Sequence, residues 1–163
     1  MSSIYIQSGV APGVTGQGDL GYFGLNSNDD PWKRLDVHYS KLKKGNHPHP
    51  EIQKFYNERG EGFIHRAIII ECDEYYLNTL EKAYIYHGNT NQKLNPEGWN
   101  QTAGGEGAKA HKIPFSFIKD GVIHQGNDLL QFLKKVAGQA EPGGFVELLD
   151  GRRKEYLGYT RYP

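Results

Sequence analysis

The sequence predicts an α+β fold in which about three helices flank a small antiparallel three-stranded sheet, followed by a C-terminal β-hairpin and helix-turn-helix module. Two observations support this class. Short runs of β-branched and aromatic residues alternate with stretches whose apolar residues recur at helical spacing. From His111 onward the order changes to hairpin, helix, short turn, helix and basic segment. We therefore predict two domains, residues 1–108 and 109–163.

The first two predicted strands, residues 3–7 and 21–25, are short apolar runs. The Gly- and Pro-rich residues 8–20 would join them as a hairpin with a long loop. The third strand is predicted in FIHRAIIIEC, residues 63–72, because that run is rich in β-branched residues. Its weak alternation predicts that both faces are partly buried.

Capping residues define the predicted helices. Asp30 is a good N-cap, and Gly45 would end the first helix in a left-handed conformation. Pro50 suits the first turn of a second helix. Asp73 would cap a third helix over residues 74–87 with one apolar stripe.

The C-terminal module begins with a hairpin whose turn is Asp120-Gly121, a strong turn signal. Asn127 would cap the next helix, and Pro142 would start another. The last residues, RRKEYLGYTRY, read as an extended basic and aromatic segment.

Composition excludes several classes of protein. The 19 Lys and Arg balance the 19 Asp and Glu, although residues 109–163 carry nine basic and six acidic residues. This mildly basic tail suggests an anionic partner, but solvated surface charge is the more common explanation. The single cysteine, Cys72, excludes an internal disulfide and fits a reducing compartment. No apolar run approaches membrane-spanning length and no leader precedes Tyr5, so we expect a cytoplasmic protein without a membrane partner.

Several polar residues suit phosphodiester cleavage. Arg34 and His38 are four residues apart and share a helix face, and Glu81 lies amid the apolar stripe of the third helix. A carboxylate can bind a hard cation, a guanidinium can bind phosphate oxygens, and a histidine or tyrosine can accept a proton. Each alone also has a structural explanation, as packing or as solvated surface. His47 and His49 in NHPHP could bind a metal, but we favour a stiff turn. GGEG reads as a linker because it lacks the context of a phosphate-binding loop.

In order and spacing, residues 3–103 resemble the GIY-YIG nuclease family. Its two motifs correspond to Ser3-Ile4-Tyr5 and Tyr22-Phe23-Gly24, and the following Arg-containing helix leads into a segment like K-x-G-x-H-x-N-x-x-L-Q. Ser3 replaces the first motif glycine, and the connection between the motif strands is longer than usual. The residues that match the family's catalytic set are Tyr5, Tyr22, Arg34, His38, Glu81 and Asn100.

The resemblance implies an endodeoxyribonuclease that uses Mg²⁺ (or Mn²⁺). Glu81 would hold the metal, and Arg34 would neutralise charge on the phosphate. Tyr22 would be the general base or proton relay, with His38 hydrogen-bonded to it. Tyr5 would position the water or phosphate, and Asn100 would brace the site.

Residues 113–163 resemble the NUMOD-type DNA-binding repeat of intron-encoded homing endonucleases. The second helix, about 143–149, would then enter a major groove of double-stranded DNA. RRK is alternatively only a solvated turn. The basic residues expected to contact DNA are Lys33, Lys41, Lys43, Lys44, Arg152, Arg153, Lys154 and Arg161.

The sequence therefore predicts a DNA endonuclease of homing or restriction type, and the resemblance of the tail implies a phage or mobile-element origin. A DNA-binding protein that does not cleave is the alternative, and an interaction domain with exposed tyrosines is the third. The target sequence, the cleavage pattern and the oligomeric state are left open by the sequence.

Overall fold

The computed structural model describes residues 1–9 and 21–163. It has the predicted α+β architecture, and its described part contains two antiparallel three-stranded sheets and five α-helices. The predicted long loop over residues 8–20 falls mostly outside the described residues.

The first sheet has the strand order β2-β1-β3, with every pairing antiparallel. Along the central strand, Ile4 and Ile6 join the main apolar core, so Tyr5 and Gln7 face the opposite side. A register irregularity against β3 lies between Ile4 and Tyr5. The strands are β1 (Ser2–Ser8), β2 (Gly21–Asn26) and β3 (His65–Cys72).

Three helices flank this sheet, as predicted. The third helix and its Asp73 cap are confirmed, since the Asp73 carboxylate accepts a hydrogen bond from the Tyr75 N–H. Gly45 ends the first helix at φ 74°. None of the helices in the described parts of the chain is long and apolar enough to cross a membrane. The helices are α1 (Lys33–Lys44), α2 (Pro50–Arg59) and α3 (Glu74–His87), with a short 3₁₀ turn at Glu61–Phe63.

The start of α1 was predicted wrongly. The helix begins at Lys33, and its N-cap position is held by Trp32 without a side-chain cap. The Asp30 carboxylate instead accepts a hydrogen bond from the Trp32 N–H at 3.0 Å, which closes a local turn before the helix. Asp side chains stabilise such turns as readily as they cap helices.

The C-terminal module contains a second sheet of order β5-β4-β6 and two helices. Asp120 and Gly121 have φ values of 51° and 75°, as the predicted hairpin turn requires. The N-cap of α4 is Asp128 and not the predicted Asn127. The elements are β4 (Phe115–Lys119), β5 (Val122–Gly126), α4 (Leu129–Lys135), α5 (Pro142–Leu149) and β6 (Thr160–Arg161).

One continuous apolar core joins the two predicted domains. It includes Ile4 and Phe23 of the first sheet, Tyr84 of α3, and Phe117 and Phe145 of the C-terminal module. The α3 helix lies between the two parts, with the first sheet on one side and α4 and α5 on the other. The predicted boundary near residue 108 is therefore a connection in the chain but not a break in the core.

The helix α5 is buried, which contradicts its predicted place in a major groove. Six of its eight residues are buried. A Cβ atom on Gly143 would lie 2.7 Å from the Tyr84 hydroxyl, and one on Gly144 would lie 2.4 Å from the Tyr156 ring. A helix enclosed in this way has no free face with which to read bases.

Candidate active site

Tyr5 forms the centre of the site and is fully buried. Its partner across the sheet is Gly24, the last residue of the second motif. A Cβ atom at Gly24 would lie only 2.4 Å from the Tyr5 hydroxyl oxygen. The motif glycine is thus needed because its missing side chain leaves the space that the Tyr5 ring occupies.

A chain of hydrogen bonds extends from Tyr5 through two histidines. His38 Nε2 lies 3.0 Å from the Tyr5 hydroxyl, and His38 Nδ1 lies 2.7 Å from His47 Nε2. His47 Nδ1 in turn accepts from the main-chain N–H of His49 at 3.1 Å. The predicted partner of His38 was Tyr22, so this prediction is corrected in favour of Tyr5.

Burial keeps these histidines neutral at pH 7. It lowers the pKa of His38 to about 3, and the neighbouring charges of His47 and Arg34 act in the same direction. Burial likewise lowers the pKa of His47 to about 4, helped by His49. A neutral imidazole has one donor and one acceptor nitrogen, so each ring can continue the hydrogen-bonded chain.

Tyr22 lies at the more open end of the same cluster. Its ring centre is 4.6 Å from that of His49 and 6.2 Å from that of Tyr5. Burial raises the pKa of Tyr22, and the negative charge of Glu81 raises it further. The positive charge of Arg34 lowers the pKa of Tyr22 and so opposes both effects.

Arg34 is exposed on the first turn of α1, where it is four residues before His38. Burial raises the pKa values of Tyr5, Tyr22 and Glu81, and the positive charge of Arg34 acts against this rise in all three. One guanidinium therefore lies close enough to influence all three groups while it is still open to solvent.

Glu81 is 93 % buried, with a relative exposure of 7 %. Its Oε1 accepts a hydrogen bond from the Gly105 N–H at 2.8 Å. Gly104 and Gly105 have φ values of 87° and 95°, and a Cβ atom at Gly104 would lie 2.7 Å from Oε1. The GGEG segment, interpreted as a linker, therefore covers the carboxylate and needs its glycines to do so.

The ionisation of Glu81 is unfavourable in this surrounding. Burial raises its pKa, and the negative charge of Glu106 adds to the effect. The Gly105 hydrogen bond and the charges of Lys82 and Arg34 act in the opposite direction. A bound cation would favour the charged carboxylate, as any nearby positive charge does.

Asn100 binds the outer edge of β2. Its Oδ1 accepts from the Phe23 N–H at 2.9 Å, and its Nδ2 donates to the Phe23 carbonyl at 2.8 Å. The Thr90 hydroxyl donates to the same Oδ1 at 2.6 Å. Because Phe23 lies between Tyr22 and Gly24, this contact fixes the strand that carries the second motif.

Sequence reasoning missed three contributors. His47 was assigned only to a turn, although the turn brings its ring onto His38. Gly105 and Glu106 both belong to GGEG, which was assigned to a linker. The hydrogen bond from Gly105 to Glu81 joins a loop to a helix, and no local sequence pattern indicates such a bond. For His47 a local signal was present, because it is the histidine of the K-x-G-x-H segment.

The predicted DNA-contacting residues differ in their surroundings. Arg152 pairs with Asp150 at 2.7 Å and also donates to the Glu71 carbonyl, while Arg153 pairs with Glu147 at 2.6 Å. DNA contact by these two would have to share those bonds. The remaining predicted residues, all exposed, are Lys33, Lys41, Lys43, Lys44, Lys154 and Arg161.

Comparison with protein-family models, with curated proteins and with solved structures finds no match to this chain. The geometry of the site therefore carries the functional argument.

Proposed function

We propose that this chain is a metal-dependent DNA endonuclease of GIY-YIG type that hydrolyses phosphodiester bonds. One observation supports the proposal most. Tyr5, Tyr22, Arg34, His38 and Glu81 come from four separate elements, yet their hydrogen bonds and charges act on one another around β2.

Arg34 would bind the non-bridging oxygens of the phosphate. It is exposed, so a substrate can reach it, and its charge already influences both tyrosines. A guanidinium in this place opposes the negative charge that develops on the phosphoryl oxygens during attack.

Tyr22 would relay the proton of the attacking water. It is only half-buried, unlike Tyr5, and its hydroxyl lies within reach of the charges of Glu81 and Arg34. His38 is a poor direct base because both of its ring nitrogens already have partners. We therefore assign His38 to the orientation of Tyr5. The water oxygen would bond to phosphorus as the P–O3′ bond breaks. The water proton would pass through Tyr22 to solvent and the departing O3′ would take a proton from solvent, leaving a 5′ phosphate and a 3′ hydroxyl.

Glu81 fits the metal ligand that the resemblance implies. Its Oε1 is held by Gly105, which leaves Oε2 for a cation such as Mg²⁺ (or Mn²⁺). In the part of the chain that the structure describes, no group of three or more His, Cys, Asp or Glu side chains could hold a metal. Water and phosphate oxygens would complete the coordination, as is common for Mg²⁺. When bound, the cation would supply charge stabilisation at the phosphate.

Double-stranded DNA would lie against exposed lysines, since α5 is buried. Lys33, Lys41 and Lys44 are exposed on α1, the helix that carries Arg34. Lys154 and Arg161 would add phosphate contacts from the C-terminal module.

The test uses supercoiled plasmid, with Mg²⁺ and in parallel with EDTA. We expect the wild-type chain to nick or linearise the plasmid only with Mg²⁺. Glu81→Gln and Arg34→Ala should each reduce the cleavage rate by about 100-fold or more. The matched controls are Glu58→Gln and Arg59→Ala, which change exposed residues of α2 and should cleave like the wild type.

Two results would contradict the proposal. Salt-dependent DNA binding without cleavage would support the alternative of a non-cleaving DNA-binding protein. Equal loss of activity in Glu81→Gln and Glu58→Gln would show that the cleavage does not depend on the site described here.

A further inference from the structure

The hydrogen-bonded chain from Tyr5 ends at a group that can only donate. The main-chain N–H of His49 lies 3.1 Å from His47 Nδ1, so this nitrogen must carry a lone pair. The competing arrangement, in which Nδ1 donates to the His49 carbonyl, has a longer distance of 3.4 Å. The shorter contact therefore favours His47 with its proton on Nε2.

The protonation of the next ring follows from that of His47. Its Nε2–H donates to His38 Nδ1 at 2.7 Å, so His38 Nδ1 is an acceptor. A neutral His38 then carries its proton on Nε2 and donates it to the Tyr5 oxygen at 3.0 Å. Both rings are buried and neutral, so this order of donors is available at pH 7.

The Tyr5 hydroxyl proton must therefore find an acceptor other than His38. Arg34 cannot serve because a guanidinium only donates. The Tyr22 ring centre lies 6.2 Å from that of Tyr5, and the Tyr22 hydroxyl oxygen can accept. A phosphate oxygen held by Arg34 would be a second acceptor on the same side.

We propose that His47 is a positioning residue that fixes His38 as a donor and so turns the Tyr5 hydroxyl into a donor toward Tyr22 and the substrate. His47 itself touches neither Tyr5 nor the reacting atoms. The direction of the hydrogen bonds is set by the main chain of His49, not by its side chain. The catalytic consequence rests on the proposed nuclease function, whereas the order of donors does not.

The experiment locates the histidine protons by ¹⁵N NMR on histidine-labelled full-length protein at pH 7.5. In the wild type we expect His38 and His47 to carry their protons on Nε2. His47→Gln keeps a donor near the Nε2 position and should keep the His38 proton on Nε2. His47→Leu removes the donor, so part or all of the His38 population should move its proton to Nδ1.

His49→Ala is the matched control, because it removes the ring and leaves the main-chain N–H. It should leave the His38 proton on Nε2. In plasmid cleavage, His47→Leu should lower kcat by about tenfold to 100-fold with KM changed less than about twofold, and His47→Gln should recover most of this loss.

A wild-type His38 with its proton on Nδ1 would overturn the proposal, as would an unchanged His38 in His47→Leu. If His47→Leu fails to fold, the wild-type spectrum together with His47→Gln and His49→Ala still decides. A chain that never cleaves DNA would end the nuclease proposal but would leave the NMR result standing, so the two failures are distinguishable.

Discussion

At the scale of single residues, the site depends on close contacts that the sequence only partly signals. Tyr5 and Gly24 belong to motifs that can be identified in the sequence, and their pairing follows once the two strands are adjacent. The partner of His38 could not be predicted, because two tyrosines lie at similar ring distances of 5.9 Å and only side-chain orientation selects Tyr5. Spacing along a helix gives the face of a residue but not its hydrogen-bond partner.

Gly24→Ala should displace the Tyr5 ring. The added methyl group would lie 2.4 Å from the Tyr5 ring and hydroxyl, inside van der Waals contact. We expect a loss of about 1–3 kcal/mol in the free energy of unfolding, measured by urea denaturation. Gly62→Ala is the control, because a Cβ atom there meets nothing within 4 Å. Equal stability of the two variants would contradict the tight contact.

Gln7→Leu should stabilise the protein. Gln7 is fully buried on β1, and in the described part of the chain neither side-chain amide atom has a hydrogen-bond partner. Replacing an unsatisfied buried amide with an apolar group of similar size should raise the free energy of unfolding by about 1–3 kcal/mol. The contrasting variant is Gln53→Leu, which removes hydrogen bonds to His47 and Leu42 and should destabilise. Calorimetric Tm values for both variants test the difference.

At the scale of elements, local signals predicted most of the structure. Asp73, Gly45 and Pro50 mark helix ends correctly because caps act through neighbouring atoms. The strand β6 was predicted only as an extended segment, since its pairing with β4 depends on residues more than 40 positions away. The placement of α5 in a major groove was contradicted for the same reason: α5 is enclosed by α3, β3 and Tyr156, which are distant in sequence.

Asn100→Ala should loosen β2 more than the rest of the first sheet. The substitution removes the two hydrogen bonds between the Asn100 side chain and the main chain of Phe23. The Phe23 N–H and carbonyl then lose these partners at the edge of the sheet. We expect a loss of about 2–4 kcal/mol and faster amide hydrogen exchange at Phe23. Asn57→Ala, which changes an exposed residue of α2, serves as the control. Unchanged exchange at Phe23 would show that Asn100 does not brace the strand.

At the scale of the whole molecule, the two predicted domains share one core. The apolar residues of α3 contact both the first sheet and the C-terminal helices. The composition change near residue 108 indicated a boundary along the chain, but it could not indicate these contacts across the boundary. Sequence periodicity indicates which face of α3 is apolar, but it cannot show that two separate parts of the chain cover that helix.

A chain ending at residue 108 should therefore fold poorly. Removal of residues 109–163 would uncover core residues of α3 such as Tyr84, together with Ile70 of β3. We expect the truncated chain to lose its cooperative thermal transition by circular dichroism and to bind a hydrophobic dye. Its matched control is Lys154→Ala/Arg161→Ala in the full chain, which removes predicted phosphate contacts and should melt like the wild type. A truncated chain with the wild-type Tm would show that the first domain is independent.

Stability should fall as the pH decreases below 6.5. The pKa values of His38 and His47 are lowered to about 3 and about 4 in the folded protein, so the unfolded chain binds more protons in this range. Their contribution is complete above the unfolded pKa of about 6.5 and is lost progressively as the pH falls to about 4 for His47 and about 3 for His38. Between pH 7.5 and 5 we expect a loss of about 2 kcal/mol per histidine, measured by urea denaturation. The raised pKa of Glu81 acts with the opposite sign.

The shared core also bears on how such a chain can diversify. Recombination that exchanged residues 109–163 for an unrelated segment would remove the contacts that α4 and α5 make with α3, and the fold of residues 1–108 would be lost with the old tail. A replacement tail would therefore have to bring its own matching apolar face, whereas surface substitutions in the existing tail would leave the shared core intact.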